Sequence, residues 1–201
     1  GGKMVESGAF PLGGGEMGAR IRAHDWAATP LGPIESWPSP LRMAIDICLH
    51  SSFPTAVYWG SALHLLYNDA WASIPGQRHP DVLGKPAQEA WNDIWHILQP
   101  QLAAVMATGE GFATFDHPLP MKRGGRIEET YWNYNFAPIR TEDGQVVGIL
   151  NQGMETTARV LTERRNALIV TLADEIRVLD QVGDIIAVTT ARLGEALSAG
   201  C

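Results

Sequence analysis

Two short apolar runs lie in the first half of the chain. Residues 55–59 are mostly β-branched and aromatic and end at Gly60, and residues 63–67 form a second run that ends at Asn68 and Asp69. β-branched and aromatic side chains suit the pleated surface of a sheet, whereas Gly and Asn suit turns. The two runs on either side of Gly60 therefore predict a β-hairpin.

A helical region is predicted after the hairpin. Residues 69–93 are interrupted by several Pro and Gly residues, so only short helices fit there. Residues 94–108 predict a longer helix, because their apolar side chains recur along one stripe. Pro100 either interrupts that helix or marks its first turn, and Gly109 predicts its end.

Three strand-like segments come next along the chain. Residues 111–121, 127–139 and 145–154 are separated by turn sequences at 122–125 and 141–144. Two prolines confine the first segment to a sheet edge or a bulge. The order of elements predicts an α+β fold, with a five-stranded antiparallel sheet and short helices between its second and third strands.

The N-terminal part of the chain predicts no strand of this sheet. Residues 1–18 are rich in Gly and are expected to be flexible. Residues 19–52 predict an extended strap held by Trp26 and Trp37, and then a cap helix that opens at Ser39. Apolar residues share one face of this helix: Leu41, Ala44, Ile45, Ile47 and Cys48.

Residues 158–201 predict one long helix. Its apolar stripe steps by three, four or seven residues with one stutter, and includes Leu161, Leu168, Leu172, Ile176, Leu179, Val182 and Ile186. One interpretation is an amphipathic helix that packs on its own sheet. We favour a parallel dimeric coiled coil, and so a homodimer, because roughly five turns would project beyond a small sheet.

Charge and composition narrow the range of functions. The 201 residues carry a net charge of −7, which argues against binding nucleic acid. No apolar stretch approaches the roughly 18–20 residues that span a bilayer, and no signal peptide is visible. The two cysteines, Cys48 and Cys201, do not form a disulfide framework, and a cytoplasmic location is predicted.

Several strings in the sequence resemble PAS sensor domains. Arg140-Thr-Glu-Asp-Gly-Gln-Val-Val-Gly148 is similar to the strand–turn–strand at the end of such domains, and Glu155-Thr156-Thr157 to the motif that joins their sheet to a signalling helix. Further strings resemble a bacterial family in which this PAS domain precedes a GAF domain and a histidine kinase: Asp25-Trp-Ala-Ala-Thr-Pro-Leu-Gly-Pro-Ile-Glu-Ser-Trp-Pro38, Phe53-Pro54, Tyr58-Trp-Gly60, Leu66-Tyr-Asn-Asp-Ala70 and Glu128-Glu-Thr-Tyr131.

This resemblance implies a division of the chain and a route for a signal. Residues 53–157 would form the PAS core, and residues 158–201 a signalling helix that leads to a following domain. The implied partners are the downstream GAF and kinase domains. Glu155, Thr156 and Thr157 would transmit the signal from the sheet to the helix.

A ligand pocket between the sheet and the helices is also implied by the resemblance. Trp132, Tyr134 and Phe136 alternate along one predicted strand and would face that pocket. Trp91 and Trp95 lie four residues apart and would share a helix face. With Trp59 and Trp132 they could form an aromatic box, although a simple apolar core is the alternative interpretation.

The cofactor stays open at this point. Ala87 stands where light-sensing relatives carry the cysteine that bonds to flavin, so no cysteinyl–flavin adduct is expected. A non-covalent flavin is one alternative, and a haem bound through His96 is another. No metal site is predicted, because the other histidines lack metal-ligand spacing: His24, His50, His64, His79 and His117.

The sequence predicts no catalytic residues. Gly13-Gly14-Gly15 lacks the strand and the Lys-Ser or Lys-Thr of a phosphate-binding loop, and Glu128 and Glu129 would point to opposite faces of a strand. We therefore expect a sensory module of a two-component protein, which binds a small ligand or a partner and signals through a dimeric helix. The alternative is a ligand-free PAS module for dimerisation and docking.

Overall fold

A five-stranded antiparallel sheet forms the centre of the fold in the computed structural model, which describes residues 9–198, apart from the side chains of 179, 180 and 195–198. The spatial order of its strands is β2-β1-β7-β6-β3. These strands are β1 (Thr55–Trp59), β2 (His64–Tyr67), β3 (Phe112–Pro118), β6 (Tyr131–Arg140) and β7 (Val146–Glu155). The predicted α+β fold with this sheet is confirmed.

The segment between β2 and β3 carries the short helices that the sequence predicts. A 3-10 turn at Gly76–Arg78 is followed by α3 (Ala87–Ala90) and α4 (Trp95–Thr108). α4 packs against β6 and β7 and so covers one face of the sheet. Pro100 lies inside α4, and the helix continues through it without the hydrogen bond that its missing N–H would donate.

A small two-stranded ribbon was not predicted. It consists of β4 (Met121–Arg123) and β5 (Arg126–Glu128), and it follows β3, which ends at Pro118 rather than at Met121. Gly124 and Gly125 make its two-residue turn with φ of +53° and +82°, a conformation that favours glycine. The turn predicted at residues 122–125 is therefore limited to Gly124 and Gly125.

The edges of the main sheet are irregular or covered. Beside β2, the N–H of Leu65 donates to the carbonyl of Lys85 over 2.9 Å, and the N–H of Gly84 donates to the carbonyl of Leu65 over 2.7 Å. At the other edge, the register of β3 against β6 shifts between Thr114 and His117. Neither edge strand therefore offers a regular row of free backbone groups.

Part of the segment predicted to be flexible is a helix. α1 (Gly15–Ala23) buries Met17 and Ile21, and the carboxylate of Asp69 accepts hydrogen bonds from the N–H groups of Glu16 (3.0 Å) and Met17 (2.7 Å). A Cβ at Gly15 would lie 2.0 Å from Asp69 Oδ2, so this approach requires glycine. The expectation of flexibility is wrong from Gly15 onward, and residues 1–8 lie outside the description.

The strap and cap helix bury the two tryptophans named from the sequence. Trp26 and Trp37 are both buried with ring centroids 5.0 Å apart, and Trp26 Nε1 donates to the carbonyl of Ile21 over 2.7 Å. α2 (Ser39–His50) contacts β1 and β2. Ile47 does not share its buried face, because 55% of this residue is exposed.

The long C-terminal helix α5 (Thr157–Ser198) has 42 residues, and the chain divides into two units after Thr157. Six of the seven residues named on the apolar stripe have exposed side chains: Leu161, Leu168, Leu172, Ile176, Val182 and Ile186. The side chain of the seventh, Leu179, lies outside the described residues. The apolar spacing predicted for this helix is thus present on an exposed face.

Within residues 9–198, no helix combines the length and the apolar composition needed to cross a membrane.

Candidate functional site

A small cavity lies between the inner face of the sheet and the segment that connects β2 to β3. Its volume is about 40 Å³. Aromatic and aliphatic side chains make up most of its lining: Tyr58, Trp71, Ile74, Trp91, Ile94, Leu98, Leu119, Met121, Trp132, Tyr134, Phe136, Asn151 and Gly153. This is the inner cavity, and it occupies the place where the sequence predicted a ligand pocket.

The alternation along β6 positions three of the predicted pocket residues. Trp132, Tyr134 and Phe136 are buried and line the inner cavity. Asn133 and Asn135 point to the opposite face, where Asn133 Oδ1 accepts a hydrogen bond from the N–H of Asp116 over 2.8 Å. The strand thus separates an aromatic face from a polar face, as the period of two requires.

Trp91 joins the aromatic group from the other side of the cavity. Its indole Nε1 donates a hydrogen bond of 2.8 Å to the hydroxyl of Tyr58, and its ring lies edge-on to that of Trp71 at 5.4 Å. Trp71 in turn contacts Tyr67 at 4.9 Å between ring centroids. These contacts tie the helical segment to β1 and β2 through aromatic packing.

Polar groups around the inner cavity already have partners within the protein. Tyr134 donates its hydroxyl proton to Gln101 over 2.8 Å, and Asn151 Nδ2 donates to the carbonyl of Asn135 over 2.8 Å. Burial raises the pKa of Tyr58 and of Tyr134, so both hydroxyls stay protonated near neutral pH. Among the described residues, no buried polar side-chain atom lacks a hydrogen-bond partner.

Three of the predicted pocket residues lie elsewhere. The ring of Trp59 lies over Gly148, where a Cβ would be only 2.8 Å from it, because Trp59 points to the face opposite Tyr58. Trp95 lines a different surface hollow with Met106, and His96 is exposed on α4. Trp91 follows α3 whereas Trp95 begins α4, so the two tryptophans do not share a helix and the aromatic box does not form.

Tyr58 and Trp71 are cavity residues that the sequence analysis missed. Tyr58 alternates with Val57 and Trp59 in β1, so a period of two would have suggested that Tyr58 and Trp59 face opposite sides. Trp71 follows Asn68, whose Oδ1 accepts hydrogen bonds from the N–H groups of Thr55 and Trp71. That local turn directs Trp71 into the core, and the Asn68-Asp69 pair was its available signal.

Neither flavin nor haem fits the inner cavity as it stands. Pockets for ligands of that size occupy about 300–1,000 Å³, whereas the 40 Å³ of the inner cavity is little more than the roughly 30 Å³ that one water molecule takes up in the liquid. His96 is on the surface and does not reach the cavity as an axial ligand. Ala87 is buried at the position compared with the flavin-bonding cysteine, and among the described residues no cluster of ligating side chains could hold a metal ion.

Cys48 does not replace that missing cysteine. It is buried in α2, and its thiol donates to the carbonyl of Thr55 over 3.2 Å. Burial raises its pKa to about 12, which keeps the sulfur protonated and unreactive near neutral pH.

The end of β7 is connected by side-chain hydrogen bonds to other elements of the core. Glu155 forms an ion pair of 2.9 Å with Arg123 on β4. Thr156 donates its hydroxyl proton to Asp116 on β3 over 2.8 Å, and Thr157 Oγ1 accepts from the N–H of Tyr131 on β6 over 3.0 Å. Residues 155–157, here called the junction, are therefore held by three elements at once.

Glu155 is a carboxylate whose charge is stabilised at this junction. Its partial burial raises the pKa, but the hydrogen bonds from Arg123 and Thr157, together with the charge of Arg123, outweigh burial and lower it below the ordinary value. Glu155 is thus ionised throughout the neutral range.

A known protein family matches the part of the chain that contains the sheet. The PAS_4 family, described as PAS fold, matches residues 50–161, which is more than half of the chain. This chain belongs to the PAS_4 family. The matched part of the PAS domain begins at the end of α2, contains every strand of the sheet and reaches the first residues of α5.

The chain is also similar to several solved structures. An RNA-binding Light-Oxygen-Voltage receptor is 17% identical with a TM-score of 0.47, and the match covers 73% of this chain and 42% of the receptor. A sensory box sensor histidine kinase from Vibrio cholerae is 13% identical with a TM-score of 0.39, over 58% of this chain and 88% of that one.

The PAS domain of the fruit-fly ELK potassium channel is 12% identical with a TM-score of 0.45, over 60% of this chain and 98% of that one. No curated protein matches the chain. The PAS chain spans less than half of the length of the Light-Oxygen-Voltage receptor.

Proposed function

We propose that this PAS chain is the signal-input module of a bacterial two-component signalling protein, and that it passes a signal from its core through the junction into a dimeric helix. The observation that best supports this is the bonding of Glu155, Thr156 and Thr157 to three separate elements. A shift in β3, β4 or β6 would displace the residues from which α5 begins. Such a displacement is a known way to switch between two states.

The partner proposed for α5 is a second copy of the same chain. An isolated helix that exposes Leu161, Leu168, Leu172 and Ile176 leaves a long apolar stripe in water. A parallel second copy would present the same residues at the same height, so that the stripes of the two copies would pack against each other. The step of four residues from Leu168 to Leu172 is followed by another step of four to Ile176, so Ile176 lies one residue off the heptad in the middle of the interface.

The context proposed for the module follows the resemblance of its sequence strings. Downstream GAF and histidine kinase domains would receive the signal, in the cytoplasm. The net charge of −7 supports a role without nucleic acid. We also propose that the PAS chain has no catalytic activity of its own, since the groups around its inner cavity are hydrogen-bonded to one another and none is paired with a base as an activated nucleophile.

A second candidate function is a PAS module that holds no ligand in its inner cavity and serves for dimerisation and docking. The volume of about 40 Å³ favours this alternative. The hydrogen bond from Trp91 to Tyr58 favours it too, because a ligand would find its polar partners already engaged.

The dimer is tested with two matched variants of the helix, Leu172→Lys and Val170→Lys. Leu172 lies on the proposed seam, whereas Val170 is exposed two residues away and points to another side of the helix. We expect light scattering to give the mass of a dimer for the wild type and for Val170→Lys, and the mass of a monomer for Leu172→Lys. Circular dichroism would check that the sheet stays folded in both variants.

A monomeric wild type at about 100 μM, or equal masses for the two variants, would contradict the proposal.

The two candidate functions are separated by an absorption spectrum and native mass spectrometry of the purified dimer. A stoichiometric small molecule released on denaturation would favour a ligand in the core. A protein spectrum with nothing released would favour the docking module.

A further inference from the structure

A second hollow, far larger than the inner cavity, opens beside the junction. Its volume is about 500 Å³. It lies between residues 73–78, residues 92–93 and the β4–β5 turn, and is here called the polar cleft. Polar and charged residues dominate its lining, among them Arg78, Asp93, Lys122, Arg123 and Glu155.

Charged side chains of both signs line the polar cleft. Arg78, Lys122 and Arg123 share its lining with Asp93 and Glu155, and a third carboxylate, Glu128, lies beside Arg123. Arg78 pairs with Asp93 over 2.9 Å and Arg123 pairs with Glu155 over 2.9 Å. Within the described part of the chain, no ion pair is recorded for the exposed ammonium group of Lys122.

Asp93 fixes the two walls of the polar cleft relative to each other. One carboxylate oxygen accepts from Arg78, and the other accepts from the backbone N–H of Lys122 over 2.8 Å. Arg78 also donates to the carbonyl of Ala90 over 2.8 Å, and its guanidinium lies 4.8 Å from the centre of the Trp91 ring. Charged groups that are held in this way need little further ordering to bind a ligand.

Neutral donors complete the lining. Gln77 and Asn92 carry side-chain amides and Ser73 carries a hydroxyl, all suited to the oxygen atoms of a small polar ligand. Arg123 is engaged on two sides, since Glu128 on β5 also lies 3.9 Å from it. Lys122 is therefore the cation that an incoming anion would meet first.

We propose that the polar cleft binds a small oxyanion, bearing carboxylate or phosphate groups, with Lys122 as its principal charged contact and Arg78 and Arg123 beside it. The bound oxyanion competes with Glu155 for Arg123, because both are acceptors for the same guanidinium. This coupling to the helix rests on the proposed function, whereas binding itself does not.

The test is a titration of the full chain with L-malate and, separately, with inorganic phosphate, at low ionic strength so that charge interactions are not screened. Backbone and indole NMR signals report where each anion binds. Lys122→Gln is compared with Lys85→Gln, a variant of another exposed lysine that lines a different hollow. We expect Lys122→Gln to weaken binding about tenfold and Lys85→Gln to leave it unchanged.

The locations of the shifted signals separate the outcomes. Shifts at the amides of Gly124 and Gly125 that saturate with malate, phosphate or both support the proposal and identify the oxyanion class. It is overturned if neither anion gives saturable shifts at millimolar concentration, if Lys122→Gln binds as well as Lys85→Gln, or if the shifts appear at the Trp71 indole within the core and not at Gly124 and Gly125. Each of these results leaves the oligomeric state of α5 unaffected, so failure here is distinct from failure of the dimer.

Discussion

The inner cavity and the polar cleft are neighbours that differ in volume and in the polarity of their lining. One holds about 40 Å³ and is lined mainly by aromatic side chains, and the other holds about 500 Å³ and is lined by five charged groups. β4 separates them, since Met121 lines the cavity whereas Lys122 lines the cleft. Met121 and Lys122 are neighbours in β4, so a single step along the chain leads from the buried core to the charged surface.

Trp91 belongs to both regions. Its indole donates to Tyr58 in the cavity, and its ring supports Arg78 at the cleft. The comparison indicates that the aromatic core of this PAS domain supplies rigidity, whereas the groups able to bind a polar ligand lie at the surface, in the polar cleft. The predictions below test that difference in role.

The largest effect is expected for Trp91→Ala. Loss of this buried ring leaves a void and an unpartnered Tyr58 hydroxyl, which should lower the free energy of unfolding by about 3–5 kcal/mol. Denaturant unfolding measures this difference. Trp95→Ala is the matched control, because Trp95 is only half-buried and should cost about 1 kcal/mol. An equal loss in the free energy of unfolding for the two variants would show that the side chains around the inner cavity are not tightly packed.

A smaller effect is expected for Tyr58→Phe, which removes one hydroxyl from the cavity. Trp91 Nε1 would lose its buried acceptor, at a cost of about 1–2 kcal/mol in the free energy of unfolding. Tyr134→Phe serves as the comparison, since its partner Gln101 is half-buried and can turn to water. If Tyr58→Phe were neutral or stabilising, the hydrogen bond would be dispensable and the cavity better suited to an apolar lining.

The smallest effect is expected at the polar cleft, for Glu155→Gln. Since the pKa of Glu155 is below its ordinary value of 4.5, its stabilising contribution is present above that pH and is lost as the pH falls through the lowered pKa. At neutral pH the variant should lose at most about 1 kcal/mol, as expected for a partly exposed ion pair.

Thermal unfolding between pH 7 and pH 3 provides the measurement for Glu155. The difference in melting temperature between the wild type and Glu155→Gln should narrow as the pH falls into the acid range. A difference in melting temperature that widened as the pH fell would mean that the junction stabilises the protonated form of Glu155.

Sequence patterns predicted those parts of the fold that depend on local periodicity. The hairpin at Gly60, the meander and the face shared by Trp132, Tyr134 and Phe136 all follow from alternation and turn residues. α1 escaped prediction because its first N–H groups are capped by Asp69, more than fifty residues away, and no local pattern encodes such a contact.

The candidate sites were predictable only in part, for a related reason. Trp95 and His96 lie on a helix whose position on the sheet decides which side is buried, and spacing alone does not give that position. The polar cleft combines four separated segments of the chain, so its charges come together only in the folded protein. Arg78 and Asp93 are unremarkable in the sequence, and it is their shared position beside Trp91 that gives them a role.

The covered edge at β2 has a consequence for how copies of this protein can associate. Gly84 and Lys85 occupy the backbone groups of Leu65 that another strand would otherwise use, and the shift in β3 disturbs the opposite edge. Open, regular edges are where sheets of separate molecules join and aggregate. With the β2 edge covered and the β3 edge irregular, neighbouring copies are less able to extend one another's sheets, which favours reversible assembly over fibre growth.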